Sequence, residues 1–299
     1  MILKNNILIV GGTGFIGYHL AKKSLKKGWQ VTSISSQVPR KKRYLPKVKY
    51  VLCDITSKKS LRKNIRKPFK YVVNLGGYVE HSNRKKTFVS HYIGCKNLVE
   101  IFLKNPPMSF VQMGSSAEYG NVKSPQKENA KCNPKSVYGR AKLLSSIYLI
   151  NLFKKQKFPS TVLRLYNTYG PTQDLNRFIS IVISGCIKNK KFPCSEGNQL
   201  RDFLHIEDVV DAILKSLTNK NARGQIINIG SGEPRKIKNI IEYIKKISKG
   251  GYPLFGKVKL RKDEILKVYS DINKAKNKIN WRPKISFKKG LKVTIVSFK

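Results

Sequence analysis

The apolar residues in the first half of the chain fall into short unbroken runs, and these alternate with stretches of helical period. Ile7 to Val10 is an aliphatic run without polar interruption, the pattern of a strand covered on both faces. Gly11, Gly14 and Gly17 follow at three-residue spacing, with Gly12 between them. Phe15, Ile16 and Leu20 then supply the apolar face of a helix from about Phe15 to Lys27, stopped at Gly28. Further strands are predicted at Val31 to Ile34, Tyr50 to Leu52, Tyr71 to Leu75 and Phe110 to Met113. Helices are predicted over Thr87 to Leu103, ended by Asn105-Pro106-Pro107, and from Ser136 to about Phe153. Strands alternating with helices at short intervals imply an α/β fold with a parallel, doubly wound sheet. In such sheets ligands sit at the carboxyl ends of the strands.

The residues at those ends carry recognisable chemistry. The glycine cluster suits a tight strand-to-helix turn, where absent side chains let a pyrophosphate reach backbone N–H groups at a helix N-terminus. Gly11, Gly14, Phe15, Ile16 and Gly17 are therefore candidate cofactor contacts, against the plainer view of a structural turn. The second strand ends in Ser35-Ser36-Gln37, where an acidic residue would bind the ribose hydroxyls of NAD. A carboxylate is absent there and Arg40, Lys41, Lys42 and Arg43 follow, which favours NADP slightly unless these cations belong to a general lysine excess. At the third strand end, Asp54 with Ile55 either receives an adenine amino group or caps the helix beginning near Ser57. Leu75, Gly76 and Gly77 leave the fourth strand end bare where a cofactor would pass. The fifth ends in Gly114-Ser115-Ser116-Ala117-Glu118-Tyr119-Gly120. Tyr138 and Lys142 lie four apart and share a helix face, and an ammonium near a phenol favours the phenolate.

Whole-chain composition narrows the class. At 299 residues the chain accommodates one large α/β domain with a smaller appendage. No apolar run is long enough to span a bilayer, and the only apolar run near the start leads into the glycine turn, so no signal peptide is expected. Five widely spread cysteines (Cys53, Cys95, Cys132, Cys186, Cys194) form no Cys-x-x-Cys pair. They read as thiols in a reducing cytosol, with no metal site. The 61 basic and 16 acidic residues give a net charge of +45, which invites salt-sensitive, nonspecific polyanion binding. The lysines are scattered in short groups and form no basic tail.

Taken together, these motifs resemble the extended short-chain dehydrogenase/reductases, the NAD(P)-dependent nucleotide-sugar epimerase/dehydratase family. The resemblance rests on Gly-Gly-Thr-Gly-Phe-Ile-Gly (11 to 17), Ser115 ahead of Tyr119-Gly120, Tyr138-x-x-x-Lys142, and Arg164-Leu165-Tyr166-Asn167-Thr168-Tyr169-Gly170-Pro171. Arg201-Asp202-Phe203, Asn228-Ile229-Gly230-Ser231-Gly232, Asp271 to Ala275 and Trp281-Arg282-Pro283 extend it across nearly the whole chain. It implies a Rossmann domain over 1–165 and a smaller α+β, mainly substrate-binding domain over 166–299, with about 200–230 returning to the Rossmann core. It also implies a cytoplasmic homodimer paired through the helices after the fourth and fifth strands.

Roles follow from the same resemblance. Tyr138 would be the acid/base, Lys142 would hold the nicotinamide ribose, and Ser115 would bond the reacting sugar oxygen. Ser116 and Asn167 would contact the nucleotide-sugar substrate, and Arg201 and Arg261 would grip its diphosphate, unless Arg201 pairs with Asp202 or Asp208. The dehydratase branch has an acidic pair directly after the catalytic Ser or Thr. Here Ser116 and Ala117 stand there, so 4,6-dehydration is disfavoured and Glu118 is expected to be solvent-facing or structural. His91 replaces a common Asn and reads as a packing residue. Leu254-Phe255-Gly256 with Arg261 to Ile265 resembles the 4-keto-sugar reductases such as the abequose synthases. The implied activity is hydride transfer at a sugar carbon, C4, in 4-keto reduction or 4-epimerisation. The competing class is a non-catalytic Rossmann scaffold that binds nucleic acid or a protein partner, which the basic surface would suit.

Overall fold

The computed structural model describes residues 5–78, 80, 82–261 and 264–298. Seven parallel strands form the main sheet: β1 (Asn6–Val10), β2 (Gln30–Ser35), β3 (Val48–Leu52), β4 (Tyr71–Asn74), β5 (Ser109–Ser115), β6 (Ser160–Leu165) and β10 (Ile226–Ile229). Their order is β10-β6-β5-β4-β1-β2-β3, so the winding reverses between β1 and β4, the place where doubly wound sheets bind ligands. The aliphatic runs predicted from sequence are the strand centres: Ile7, Leu8, Ile9, Val72, Val73, Phe110 and Val111 are fully buried.

Helices α1 (Phe15–Lys26), α7 (Ile206–Thr218) and α9 (Asn273–Ile279) cover one face of the sheet, where Leu20, Val209, Ile213, Ile279 and Trp281 share a core with Ile7 and Ile9. The other face is covered by α2 (Lys58–Asn64), α4 (Gly94–Phe102) and α5 (Val137–Gln156), through Leu61, Leu98, Val99, Leu149 and Leu152. The predicted helix over Thr87 to Leu103 begins earlier, at α3 (Arg84–Phe88), because the Asn83 side chain accepts the Lys86 N–H as an N-cap. It is interrupted by a π turn over Val89–Ile93, a feature common near functional sites.

After β6 the chain builds a second layer. β9 (Leu200–His205) pairs in parallel with β7 (Asn167–Tyr169) and β13 (Lys267–Val268), and antiparallel with β11 (Pro234–Lys236). β8 (Lys191–Pro193) pairs with β12 (Tyr252–Leu254). Helices α6 (Phe178–Ile187), α8 (Ile237–Ser248) and α10 (Phe287–Val296) close a separate core around Ile183, Phe203, Ile241 and Leu291. Between β9 and β11 the chain re-enters the large sheet through α7 and β10, tying the two layers together. Among the described residues no helix is long and apolar enough to cross a membrane.

Candidate active site

The glycine turn sits at the reversal of the sheet and is packed too tightly for side chains. Gly11 adopts φ +75°, and a Cβ there would lie 3.1 Å from the Leu75 carbonyl. A Cβ on Gly17 would fall 2.4 Å from the Gly11 carbonyl oxygen, and one on Gly12 would fall 2.3 Å from Ser33 Oγ. Gly14 is the N-cap of α1, so no side chain caps the helix, and its first turn, which opens with Phe15 and Ile16, carries no acidic residue. Backbone N–H groups at a bare, partly positive helix end are what an anionic pyrophosphate requires. The cradle fits a dinucleotide on geometry alone.

The neighbouring strand ends fit around it. Ser35 Oγ lies 3.4 Å from the Thr13 amide, joining the end of β2 to the turn. A small cleft there is lined by Thr13, Gln37, Val38, Tyr50 and Leu52. Asp54 is exposed and holds its own turn, accepting the Thr56 N–H and hydroxyl at 2.8 Å. It does not cap α2, because Ser57 does so by accepting the Ser60 N–H. Ile55 packs under the bare Gly76, where a Cβ would meet Ile55 Cδ1 at 3.0 Å and Val10 Cγ1 at 2.9 Å. A Cβ on Gly77 would sit 1.9 Å from the His91 ring. Arg40, at the sequence position suited to a ribose phosphate, instead donates to Asp174 Oδ1 at 2.8 Å.

Ser115, Tyr138 and Lys142 converge across the same crevice. Ser115 ends β5 and caps a short 3-10 turn, its Oγ accepting the Ala117 N–H at 3.2 Å; Ser116 opens that turn. Tyr138 lies in the first turn of α5, whose N-cap Ser136 accepts the Gly139 N–H. One helical turn later Lys142 is buried, with Nζ donating to the Met113 carbonyl at 2.7 Å and lying 5.9 Å from the Tyr138 ring centroid. Burial raises the Tyr138 phenol above its ordinary range and outweighs the pull of the Ser115 side chain downward; Glu118 raises it further and Arg177 lowers it. Burial brings Lys142 down from 10.5 to about 8, against the opposing fields of Glu118 and Cys95. In the chain itself the phenol is therefore held protonated. His91 packs edge-on against Tyr138 with ring centroids 4.9 Å apart, and its Nε2 is 3.1 Å from the Tyr78 carbonyl.

Glu118 is the side chain whose placement sequence reasoning left open. It is fully buried and structural: Oε1 accepts the Ser115 N–H at 2.8 Å, while Oε2 takes Arg164 Nε and Ser146 Oγ, each at 2.8 Å. Arg164 also lies 4.5 Å over the Tyr119 ring.

The expected substrate contacts are spread along the second layer. Asn167 is exposed on β7 and donates to the Asp202 carbonyl at 3.1 Å. Arg201 pairs with neither Asp202 nor Asp208; it is ion-paired with Glu264 and donates to the Leu200 and Leu266 carbonyls. Arg261 is 86% exposed with its Nε 3.8 Å from Glu264, so one carboxylate faces both arginines. Lys262 and Asp263 of the reductase-like segment lie outside the described residues. Asp202 is a buried hub that accepts from Ser231, Gly232 and Ser270. A side chain that the sequence did not assign individually, Arg177 at the N-cap of α6, is exposed and acts on the Tyr138 phenol; a basic residue in the loop between the two layers was its only signal. Four cysteines are buried and Cys132 is half-buried, all as free thiols. Among the described residues no group of His, Cys, Asp and Glu could hold a metal ion.

Comparison with known proteins agrees with this geometry. Residues 7–230 match the NAD dependent epimerase/dehydratase family. A putative UDP-glucose 4-epimerase of Methanocaldococcus jannaschii is 30% identical over 298 residues, covering 96% of each chain. A UDP-N-acetyl-alpha-D-glucosaminuronate decarboxylase of Bacillus cytotoxicus is 26% identical, covering 99% of this chain and 98% of that one. Among solved structures, a UDP-glucose 4-epimerase of Thermotoga maritima with UDP-glucose superposes with a TM-score of 0.92 at 26% identity, covering 98% of both chains. The chain belongs to the NAD dependent epimerase/dehydratase family of extended short-chain dehydrogenase/reductases, a family of nucleotide-sugar enzymes with a Rossmann-like sheet.

Proposed function

We propose that this member of the NAD dependent epimerase/dehydratase family transfers hydride at C4 of a nucleotide-diphosphate sugar and inverts that carbon. The observation that carries the reading is the convergence of Ser115, Tyr138 and Lys142 at the strand ends beside the glycine cradle. A bound nicotinamide dinucleotide would supply hydride acceptance and return. The chain's own residues manage the proton. Tyr138 would act as phenolate, the form that a cationic nicotinamide ring would favour once bound, to take the proton from the C4 oxygen and as phenol to return it, while the Ser115 hydroxyl bonds the same oxygen. Lys142, anchored on the Met113 carbonyl, stands beside the phenol to receive ribose hydroxyls. Proton transfer by a positioned phenol of this kind contributes about 10²–10⁴-fold.

Elimination and decarboxylation are less well supported. The acidic residue nearest Ser115, Glu118, is enclosed by Arg164, Ser146 and the Ser115 amide, so it is poorly placed to act as a base on a sugar. A 4-keto reductase is the second reading, favoured by the raised Tyr138 phenol, which is already charged with the proton that a ketone oxygen would need.

Asn167, Arg201 and Arg261 are proposed to receive the nucleotide diphosphate, with Glu264 displaced from the arginines as phosphate arrives. Arginine suits that role because its planar fork binds phosphate oxygens bidentately. The enzyme is proposed to act in the cytosol as a homodimer, with the exposed Leu144 and Ile147 of α5 in the shared face. The test is to denature the purified protein, identify any released dinucleotide by mass, and incubate native enzyme with a panel of UDP- and CDP-sugars. Tightly retained NAD and NMR detection of a C4 epimer support the main reading. An empty site that consumes NADPH with a 4-keto sugar supports the second.

A further inference from the structure

The end of β2 and the loop after β7 are clamped together by charge. Arg40 Nη1 and Arg43 Nη2 both donate to Asp174 Oδ1, at 2.8 and 3.0 Å. Arg43 is buried, donates twice to the Thr172 carbonyl at 2.6 and 3.2 Å, and lies 6.0 Å from the Phe15 ring at the start of α1. Arg40 keeps 68% of its side chain in solvent. The same loop is tied to α1 a second time, through His19 Nε2 and the Pro171 carbonyl at 2.9 Å.

Arg40 lies five residues beyond Ser35, and Ser35 touches the glycine turn through Thr13. The intervening Gln37 and Val38 line the cleft between β2 and β3. A cation at this point is where a phosphate on the adenosine ribose would find a partner, since guanidinium and phosphate form strong charge-assisted bonds. The structure spends Arg40 elsewhere. Asp174 is shared by two arginines, as Glu264 is between Arg201 and Arg261.

We infer that Asp174 is a determinant of cofactor choice: by holding Arg40 it disfavours a 2′-phosphorylated dinucleotide and leaves the unphosphorylated one preferred. Arg43 serves as the buried anchor that keeps Asp174 in place, and Arg40 is the cation that it withholds. Lys41 and Lys42 remain exposed on the same turn as point charges without the bidentate fork. The inference rests on the reading of this crevice as a dinucleotide site.

The test is titration of purified protein with NAD and NADP by calorimetry, which needs no sugar substrate. Wild type binds NAD more tightly than NADP. Asp174→Asn raises NADP affinity about two- to five-fold, the worth of one largely exposed ion pair, with NAD affinity unmoved. Adding Arg40→Ser to that variant removes the gain. Arg40→Ser alone, at an exposed position that does not threaten the fold, changes NADP affinity less than about two-fold because the pair is already made. A loss of about ten-fold or more in that variant, more than a kilocalorie of phosphate binding, would overturn the inference. So would an unchanged NADP affinity in Asp174→Asn while NAD still binds. Wild type that binds neither dinucleotide would overturn the site reading itself, and the inference with it.

Discussion

Arg164 Nε lies 2.8 Å from Glu118 Oε2, and both side chains are sealed from solvent. The other carboxylate oxygen holds the backbone N–H of Ser115, so the ion pair sets the direction in which the end of β5 presents its serine. Removing one partner of a buried pair leaves a charge with no compensation and costs about 3–5 kcal/mol. Glu118→Ala and Arg164→Met should each lower the unfolding free energy measured by urea titration by that order. The double variant Glu118→Met, Arg164→Met should be more stable than either single one, because neither charge then remains. A double variant less stable than both singles would mean that the two side chains stabilise the fold independently, through partners other than each other.

Tyr138→Phe keeps the ring against His91 and removes only the hydroxyl. Turnover of a nucleotide sugar should fall by about 10²–10⁴-fold, while the dinucleotide recovered from the denatured protein stays at wild-type amount. Loss of the dinucleotide along with turnover would place Tyr138 in cofactor binding and not in proton transfer.

Lys142 makes the stability of the fold depend on pH in a defined window. Its folded pKa of about 8 lies below the ordinary 10.5 because of burial. Between those values the unfolded chain keeps a proton that the folded chain has released, so stability rises with pH across that range. The penalty is fully present below it. The two pKa values correspond to about 3 kcal/mol. Lys142→Met lacks the group, so urea unfolding at stepped pH should show wild type gaining that amount on the variant from pH 8 to 10.5. Parallel curves would show that the lysine stays charged in the fold.

Five of the seven strands of the sheet were legible because they are apolar runs read locally, and their observed ends fall within two residues of those runs: Val31 to Ile34 became Gln30–Ser35, and Phe110 to Met113 became Ser109–Ser115, whereas β6 and β10 were not read as strands. The meeting of Ser115, Tyr138 and Lys142 was legible because a strand end and a helix turn place them. What sequence could not show was pairing at a distance. Arg40 reads as a free cation until Asp174, from a loop after β7, is brought beside it. Glu118 cannot be oriented without Arg164 from the neighbouring strand. The same holds for Arg201, whose partner is Glu264 and not an acid beside it in the chain. The π turn at Val89–Ile93 is invisible to a search for helical period, because it adds a residue to the turn without changing which residues are apolar. The Asn83 cap was passed over when the helix was expected to start at Thr87.

Two glycines of the opening turn should fail in different ways. A Cβ on Gly17 would meet the Gly11 carbonyl oxygen at 2.4 Å and Gly12 Cα at 2.5 Å, all backbone that must shift. A Cβ on Gly14, the bare N-cap of α1, would meet one atom, the Gly11 carbonyl oxygen at 3.2 Å. Overpacking of the first kind costs about 1–3 kcal/mol, so Gly17→Ala should lower the melting temperature of the dinucleotide-free protein as well as its affinity for NAD. Gly14→Ala should melt close to wild type and lose affinity alone, because its added methyl stands where the pyrophosphate approaches the helix end. Differential scanning fluorimetry paired with NAD titration separates the two. Equal loss of stability in both variants would mean that Gly14 packs against protein and not against ligand.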